Sequence, residues 1–248
     1  KDQWLVRNSA LWFEPNEPNA PIYSKRHLVP FSECVPFKDS WLGLYMLLRW
    51  FVPDVMEQLD PGPEITRFTL RRPAGKWRVV SPICYEGTMS TPCRRMVYQD
   101  GRKEADIMAN LSNDGWFVWR WGDARRASTE QAQHLSHYCF RAVENRVPVV
   151  RAVNTGVSAS IDSNGRIVAE VRKNGQNTMI SGTLLLDGAN RGTVEYLPGH
   201  GPKVLVDRRA SWYSRVGDIF ALTVVLAAAT WVMGMFALCG RRKEGLGK

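Results

Sequence analysis

Short runs of alternating or β-branched residues, bounded by Gly, Pro and Asn, recur along most of the chain. They predict strands over 4–13, 65–72, 77–83, 105–112, 148–153, 157–161, 166–172 and 178–186. One segment carries a clear helical period instead. Over about 128–146, Ala132, Leu135, Cys139, Ala142 and Val143 fall on one face, and Ser128 with Gln131 has the spacing of a capping box. Strands interleaved with helices predict a layered α/β domain. No repeat or low-complexity linker interrupts it.

Three stretches depart from that pattern. Residues 41–52, WLGLYMLLRWFV, are apolar but too short to span a membrane, and Arg49 and Pro53 break them. A buried helix and an interfacial helix both fit, and Trp41, Tyr45 and Trp50 suit the second. Residues 115–126, GWFVWRWGDARR, hold three Trp and three Arg, which fits a lid over a cleft or a packed surface loop. From Ile219 to Cys239 there is no charge at all. At a rise of 1.5 Å per residue, about 20 such residues cross a hydrocarbon core of roughly 30 Å. A core helix of this length would show a polar stripe. Arg241, Arg242 and Lys243 follow at once and mark the cytoplasmic side, which puts the bulk of the chain on the other face.

Composition narrows the class. In 248 residues, 44% hydrophobic and 23% charged exclude a disordered or collagen-like chain. A mean hydropathy of −0.27 excludes a polytopic membrane protein yet accommodates one span. The net charge of +9 is partly in the tail and otherwise spread out, which favours anionic lipid headgroups over nucleic acid. Ten Trp suit a membrane interface or a ligand cleft. Five Cys, an odd number with no CxxC pair, exclude a disulfide framework and a zinc site and leave at least one free thiol. The chain opens at Lys1 without a signal peptide, and a fragment of a longer protein is the expectation.

Three clusters could carry chemistry. Cys84 ends the strand run WRVVSPIC, where an exposed nucleophile would sit, although a buried structural thiol is the commoner case. IYSKRHLVPFSECVPF, residues 22–37, packs Lys25, Arg26, His27 and Glu33 between prolines, and alone it reads as a solvated loop. Leu111–Phe117, LSNDGWF, sets polar groups and an aromatic at another strand end, where ligands of open α/β sheets bind. Competing signals are weak. Gly199-His200-Gly201 lacks the context of a dinucleotide loop, and His134 and His137 lack accompanying carboxylates for a metal. No cofactor is expected.

Taken in order, YSKRHLVPFSE, ICYE, LSNDGWF and QHLSHYCFRAVENRVPVVRAVNTGVSASID resemble the nitrilase (carbon–nitrogen hydrolase) domain of the apolipoprotein N-acyltransferases. The likeness runs from about Asn8 to the end, where SWYSRVGDIF resembles the lead-in to a last membrane helix. It implies a nitrilase-like αββα sandwich over 1–210, incomplete at its N-terminus, then a lead-in over 211–218, a transmembrane helix over 219–239 and a cytoplasmic tail over 240–248. By resemblance Cys84 is the nucleophile, Lys25 the lysine of a Glu–Lys–Cys triad, and Glu33 a second glutamate that orients Lys25. Tyr85 and Glu86 shape the site, and Trp116, with Asn113 beside it, contacts lipid substrate. The implied reaction moves a fatty acyl chain from phospholipid, through a cysteine thioester, to the terminal amine of a diacylated lipoprotein. The implied enzyme is a monomer of the bacterial inner membrane with its catalytic domain on the outer face. The triad glutamate has no match: before Lys25 the acidic residues are Asp2, Glu14 and Glu17. The rivals are an amidase acting on a small amide, and a degenerate nitrilase-like domain that binds lipid without catalysis.

Overall fold

A computed structural model describes residues 4–14, 17–52, 59–121, 124–173, 176–177, 193–196 and 204–245. The strands are β1 (Ser9–Leu11), β2 (Ile22–Ser24), β3 (Phe68–Arg72), β4 (Gly75–Val80), β5 (Tyr98–Gln99), β6 (Arg102–Lys103), β7 (Ile107–Ser112), β8 (Val118–Trp121), β9 (Ala124–Ala127), β10 (Val149–Val153), β11 (Ala159–Ile161), β12 (Ile167–Lys173), β13 (Gln176–Asn177) and β14 (Thr193–Tyr196). The helices are α1 (Leu42–Phe51), α2 (Ser90–Val97), α3 (Glu130–Asn145), α4 (Trp212–Val216) and α5 (Ile219–Gly245).

The main sheet runs β13-β12-β11-β10-β7-β4-β3, with β14 also on β12. At its centre β4, β7 and β10 are parallel, and every other neighbour pair is antiparallel. Parallel neighbours need crossovers, and α2 and α3 supply them. The three central strands therefore end side by side. Val79, Val80, Met108 and Val149 are buried there, and α3 closes over them with Leu135, Tyr138 and Ala142. This is the expected α/β nitrilase-like architecture. Among the described residues, the remaining sheets are the two-stranded pairs β1–β2, β5–β6 and β8–β9.

Several expectations need correction. The first strand covers Ser9–Leu11 and not 4–13, and Val6 spends its backbone groups on Asp60. The strand over 77–83 stops at Val80: Pro82 has no N–H to donate, and only an isolated bridge joins Ile83 to Leu111. The capping box at Ser128 does not form, since Thr129 holds the cap position without a side-chain bond. Ala132, assigned to the inner face of the helix, is exposed, and the buried face is largely polar: Gln131, His134, Tyr138, Arg141 and Asn145. In the segment 115–126, a short helical turn (Asp114–Phe117) leads into β8, which pairs with β9. The strand expected over 178–186 and the Gly199–Gly201 turn lie outside the described residues.

Helix α1 buries no residue, so the buried-helix reading of 41–52 does not hold. Helix α5 continues from α4, whose carbonyls at Ser214 and Arg215 accept from Arg94 of α2 at 3.0 and 3.2 Å. Thr91 adds a bond to Asp218 at 2.7 Å. Beyond that root the apolar side chains of α5 project outward, Phe220, Val225, Trp231 and Met233 among them. Among the described residues no helix is long and apolar enough to cross a membrane. The expected span over Ile219–Cys239 runs past Met235, the last side chain of α5 that is described.

Candidate active site

The chain leaves β4, passes Ser81–Ile83 and enters a tight 3-10 turn at Cys84–Thr88. Cys84 has a φ of 50°. For a residue with a Cβ that is an uncommon, strained conformation, which persists only where surroundings enforce it. Here the enforcement is visible. The Cys84 carbonyl accepts from the Tyr138 hydroxyl at 2.9 Å and lies 3.3 Å from His134 Nε2. The Glu86 side chain accepts from Ile83 N–H at 2.9 Å, and its own N–H bonds back to Ile83 O at 3.1 Å. Gly87 is needed for space, since a Cβ there would stand 1.9 Å from the Tyr138 ring.

Glu86 also reaches across to the lysine loop. Its fully buried carboxylate accepts from the Tyr23 hydroxyl at 2.9 Å and from the backbone N–H groups of Arg26 and His27 at 2.8 and 3.0 Å. Burial pushes this carboxyl up, while the His27 side chain and the amides of Ile83, His27 and Arg26 pull it down, and the balance is down. His27 Nδ1 stands 3.6 Å off, so the amides are the firmer partners. A carboxylate so engaged is a clamp between the loop of Lys25 and the turn of Cys84. It has no capacity left to take a proton from substrate.

Lys25 follows β2 and is fully buried. Its Nζ donates to Glu33 Oε2 at 2.6 Å, and the same oxygen accepts from Val29 N–H at 2.8 Å. Glu33 keeps partial contact with solvent. A buried ammonium with one anionic partner is an orientable cation, suited to a negative charge developing nearby. Glu14 and Glu17 both pair with Arg71 on the outside of the sheet, away from this site.

The third cluster arrives on β7. The Asn113 side chain accepts from Gly115 N–H at 3.0 Å and from Asn154 Nδ2 at 2.6 Å, which fixes the turn that carries Trp116. Trp116 is 75% exposed and Tyr85 half-exposed. A cavity of about 370 Å³ is lined by Asn8, Ser9, Ile83, Leu111, Asn113 and Asn154. It lies over the carboxyl ends of β4, β7 and β10, the usual ligand position in such sheets.

Sequence reasoning singled out Cys84, Lys25, Glu33, Tyr85, Glu86, Asn113 and Trp116, and the fold links the segments that carry the first two through Glu86. It missed the buried groups behind the turn: Asp114, His134, Tyr138 and Arg151. Burial pushes the Asp114 carboxyl up, but His134, Arg151 and Ser112 outweigh it and hold it down. Polar residues recurring at helical spacing over 131–145 were the available signal. Burial pushes the Cys93 thiol up to about 12 and also raises Cys34 and Cys139, which keeps those three protonated and inert. No group of three metal-ligating side chains occurs among the described residues.

Cys84 in its strained turn, the buried Lys25 with Glu33, and the clamping Glu86 thus stand together on an α/β scaffold. The carbon–nitrogen hydrolase family model matches residues 1–188, and the chain belongs to that family. Within it, the chain is 32% identical to the apolipoprotein N-acyltransferase of Geobacter metallireducens over 237 residues, 96% of this chain and 37% of that protein. It is 34% identical to apolipoprotein N-acyltransferase 1 of Treponema denticola over 171 residues, 67% of this chain and 28% of that protein. The chain thus spans about a third of the length of these relatives. Among solved structures, XC1258 of Xanthomonas campestris, a CN-hydrolase superfamily protein, is 23% identical, with a TM-score of 0.42, over 68% of this chain and 54% of that one.

Proposed function

We propose that this chain carries the acyl-transfer site of a bacterial lipoprotein N-acyltransferase. The observation that carries the reading is the clamp: Glu86 ties the loop of the buried Lys25 to a turn that presents Cys84 at a φ of 50°. In the first half-reaction the Cys84 sulfur attacks the ester carbonyl of a phospholipid acyl chain. The S–C bond forms, the ester C–O bond breaks, the proton given up by the Cys84 thiol ends on the leaving oxygen of the lysophospholipid alcohol, and a thioester remains. Lys25 stabilises the oxyanion of each tetrahedral intermediate, and Glu33 aims it. In the second half-reaction the terminal amine of a diacylated lipoprotein attacks the thioester, forming the amide and returning the thiol. Asn113 and Trp116 flank the path of the acyl chain.

Residues 1–210 form the catalytic domain, 211–218 the lead-in, 219–239 a membrane helix and 240–248 a cytoplasmic tail. The catalytic domain then faces the outer side of the inner membrane. The exposed apolar side chains of α5 and the unburied α1 support that placement and favour a lipid donor over a small soluble amide. The test is to incubate the full-length protein with phospholipid and a synthetic diacylated lipopeptide whose terminal amine is free. The lipopeptide should gain one amide-linked acyl chain. Hydrolysis of small amides with no lipopeptide product would favour the amidase rival instead.

A further inference from the structure

Two side chains with no part in the scheme above end on one atom, the carbonyl oxygen of Cys84. Tyr138 and His134 both rise from α3, one turn apart, and both are buried. Behind them lies a closed circuit of polar groups. His134 Nδ1 is 3.0 Å from Asp114 Oδ1, and the other Asp114 oxygen is ion-paired with Arg151. Ser112 adds a bond to Asp114 at 2.6 Å. Arg151 Nη1 donates to Asn110 Oδ1 at 2.7 Å, and its guanidinium sits 5.0 Å from the centre of the Tyr138 ring. Asn110 Nδ2 donates to Pro82 O at 3.0 Å. The circuit leaves the nucleophile segment at Cys84 and returns to it at Pro82.

That geometry has a consequence for the reacting edge. In a trans peptide the C=O and the N–H point opposite ways. Drawing the Cys84 carbonyl inward toward α3 turns the Tyr85 N–H outward, on the side of the exposed Tyr85 ring. The same pull opposes relaxation of the strained φ at Cys84. We propose that Tyr138 and His134 are positioning residues for Cys84: by gripping its carbonyl they fix the turn that aims the thiol and the following N–H. Asp114 and Arg151 hold the His134 ring for that task. This rests on Cys84 being the acyl-accepting nucleophile.

The test compares the full-length protein with Tyr138→Phe, which removes one hydrogen bond and keeps the ring, and with His134→Ala. Acyl-transfer kcat and KM, the rate at which iodoacetamide alkylates Cys84, and the thermal midpoint are measured on each. Tyr138→Phe should lower kcat about tenfold, the order of one lost hydrogen bond, with KM nearly unchanged. Cys84 alkylation should slow similarly. Combining the two changes should cost less than the product of the single effects, because both act on one oxygen. If His134→Ala does not fold, Tyr138→Phe still decides the matter. Unchanged kcat and unchanged Cys84 alkylation in Tyr138→Phe would overturn the proposal, as would a rise in KM alone. Slowed alkylation in a protein that never forms acyl-Cys84 would keep the positioning role and overturn the acyl-transfer reading.

Discussion

The turn around Cys84 and the helices α1 and α5 invert the usual rule in opposite directions. Behind the turn, Lys25, Glu86, Asp114 and Arg151 are buried although each carries or can carry charge. On α1 the large side chains of Trp41, Leu42, Met46, Trp50 and Phe51 are exposed although nothing polar keeps them out. Burying charge is unfavourable unless every group is partnered, and exposing contiguous apolar surface marks a partner outside the domain. The first region therefore spends stability on geometry. The second leaves apolar surface open to a partner outside the domain. The proposed lipid-dependent acyl transfer would need both.

The sharpest way to break this contrast lies within the buried pair. Lys25→Met should leave the fold intact and cut acyl transfer by roughly 100-fold or more, the order lost with one oxyanion donor. Lys25→Arg should fail as well, because a planar fork cannot replace a compact ammonium. Glu33→Ala should do something different: it strands a buried ammonium, and its urea midpoint should fall by the equivalent of about 3 kcal/mol. Lys25→Met should be milder in that assay, since Glu33 keeps solvent contact and the Val29 N–H. Equal loss of stability in both would show that the asymmetry of burial is irrelevant.

Next in size is the clamp. Glu86→Gln replaces an acceptor that binds four donors with a group that is half donor. A loss of about 2 kcal/mol is expected, together with lower activity as the Lys25 loop and the Cys84 turn come apart. The clamp also sets an acid limit. Glu86 and Asp114 have folded-state pKa values below their ordinary ones, so their stabilisation is complete above the ordinary carboxylate range. It is lost as pH falls through the lowered folded values. Glu144, raised by burial, acts with the opposite sign. Urea midpoints measured against pH should therefore fall on acidification, and less steeply in Glu86→Gln.

The smallest effect belongs to α1. Trp50→Ser and Phe51→Ser change side chains that touch little of the domain, and stability should move by no more than about 0.5 kcal/mol. Sedimentation with anionic phospholipid vesicles should nonetheless decrease. A marked loss of stability would mean that α1 packs on the domain and that the comparison is drawn in the wrong place.

How far the chain could be read in advance follows the same division. The strands β7, β10 and β12 were legible to within two residues, because β-branched runs between Gly, Pro and Asn depend on local physics. Cys84, Lys25 and Glu33 were singled out only through the family resemblance, since alone Cys84 read as a structural thiol and the Lys25 segment as a solvated loop. Helix α3 was placed correctly and its inner face read only in part: Leu135 and Ala142 are buried as expected, but Ala132 is exposed, and His134, Tyr138 and Arg141 also turn inward. Asp114 meets Arg151 across 37 positions, and no local period records such a pairing. The clamp was hidden for the same reason, since Glu86 binds amides about 60 residues upstream.

The central claim is that Cys84 carries the acyl chain, and intact mass with peptide mapping after incubation of the full-length protein with phospholipid tests it directly. The expected result is one fatty acyl mass on the peptide containing Cys84, removed by hydroxylamine, absent from Cys84→Ala and retained in Cys139→Ala. Acylation that persists in Cys84→Ala would contradict the account.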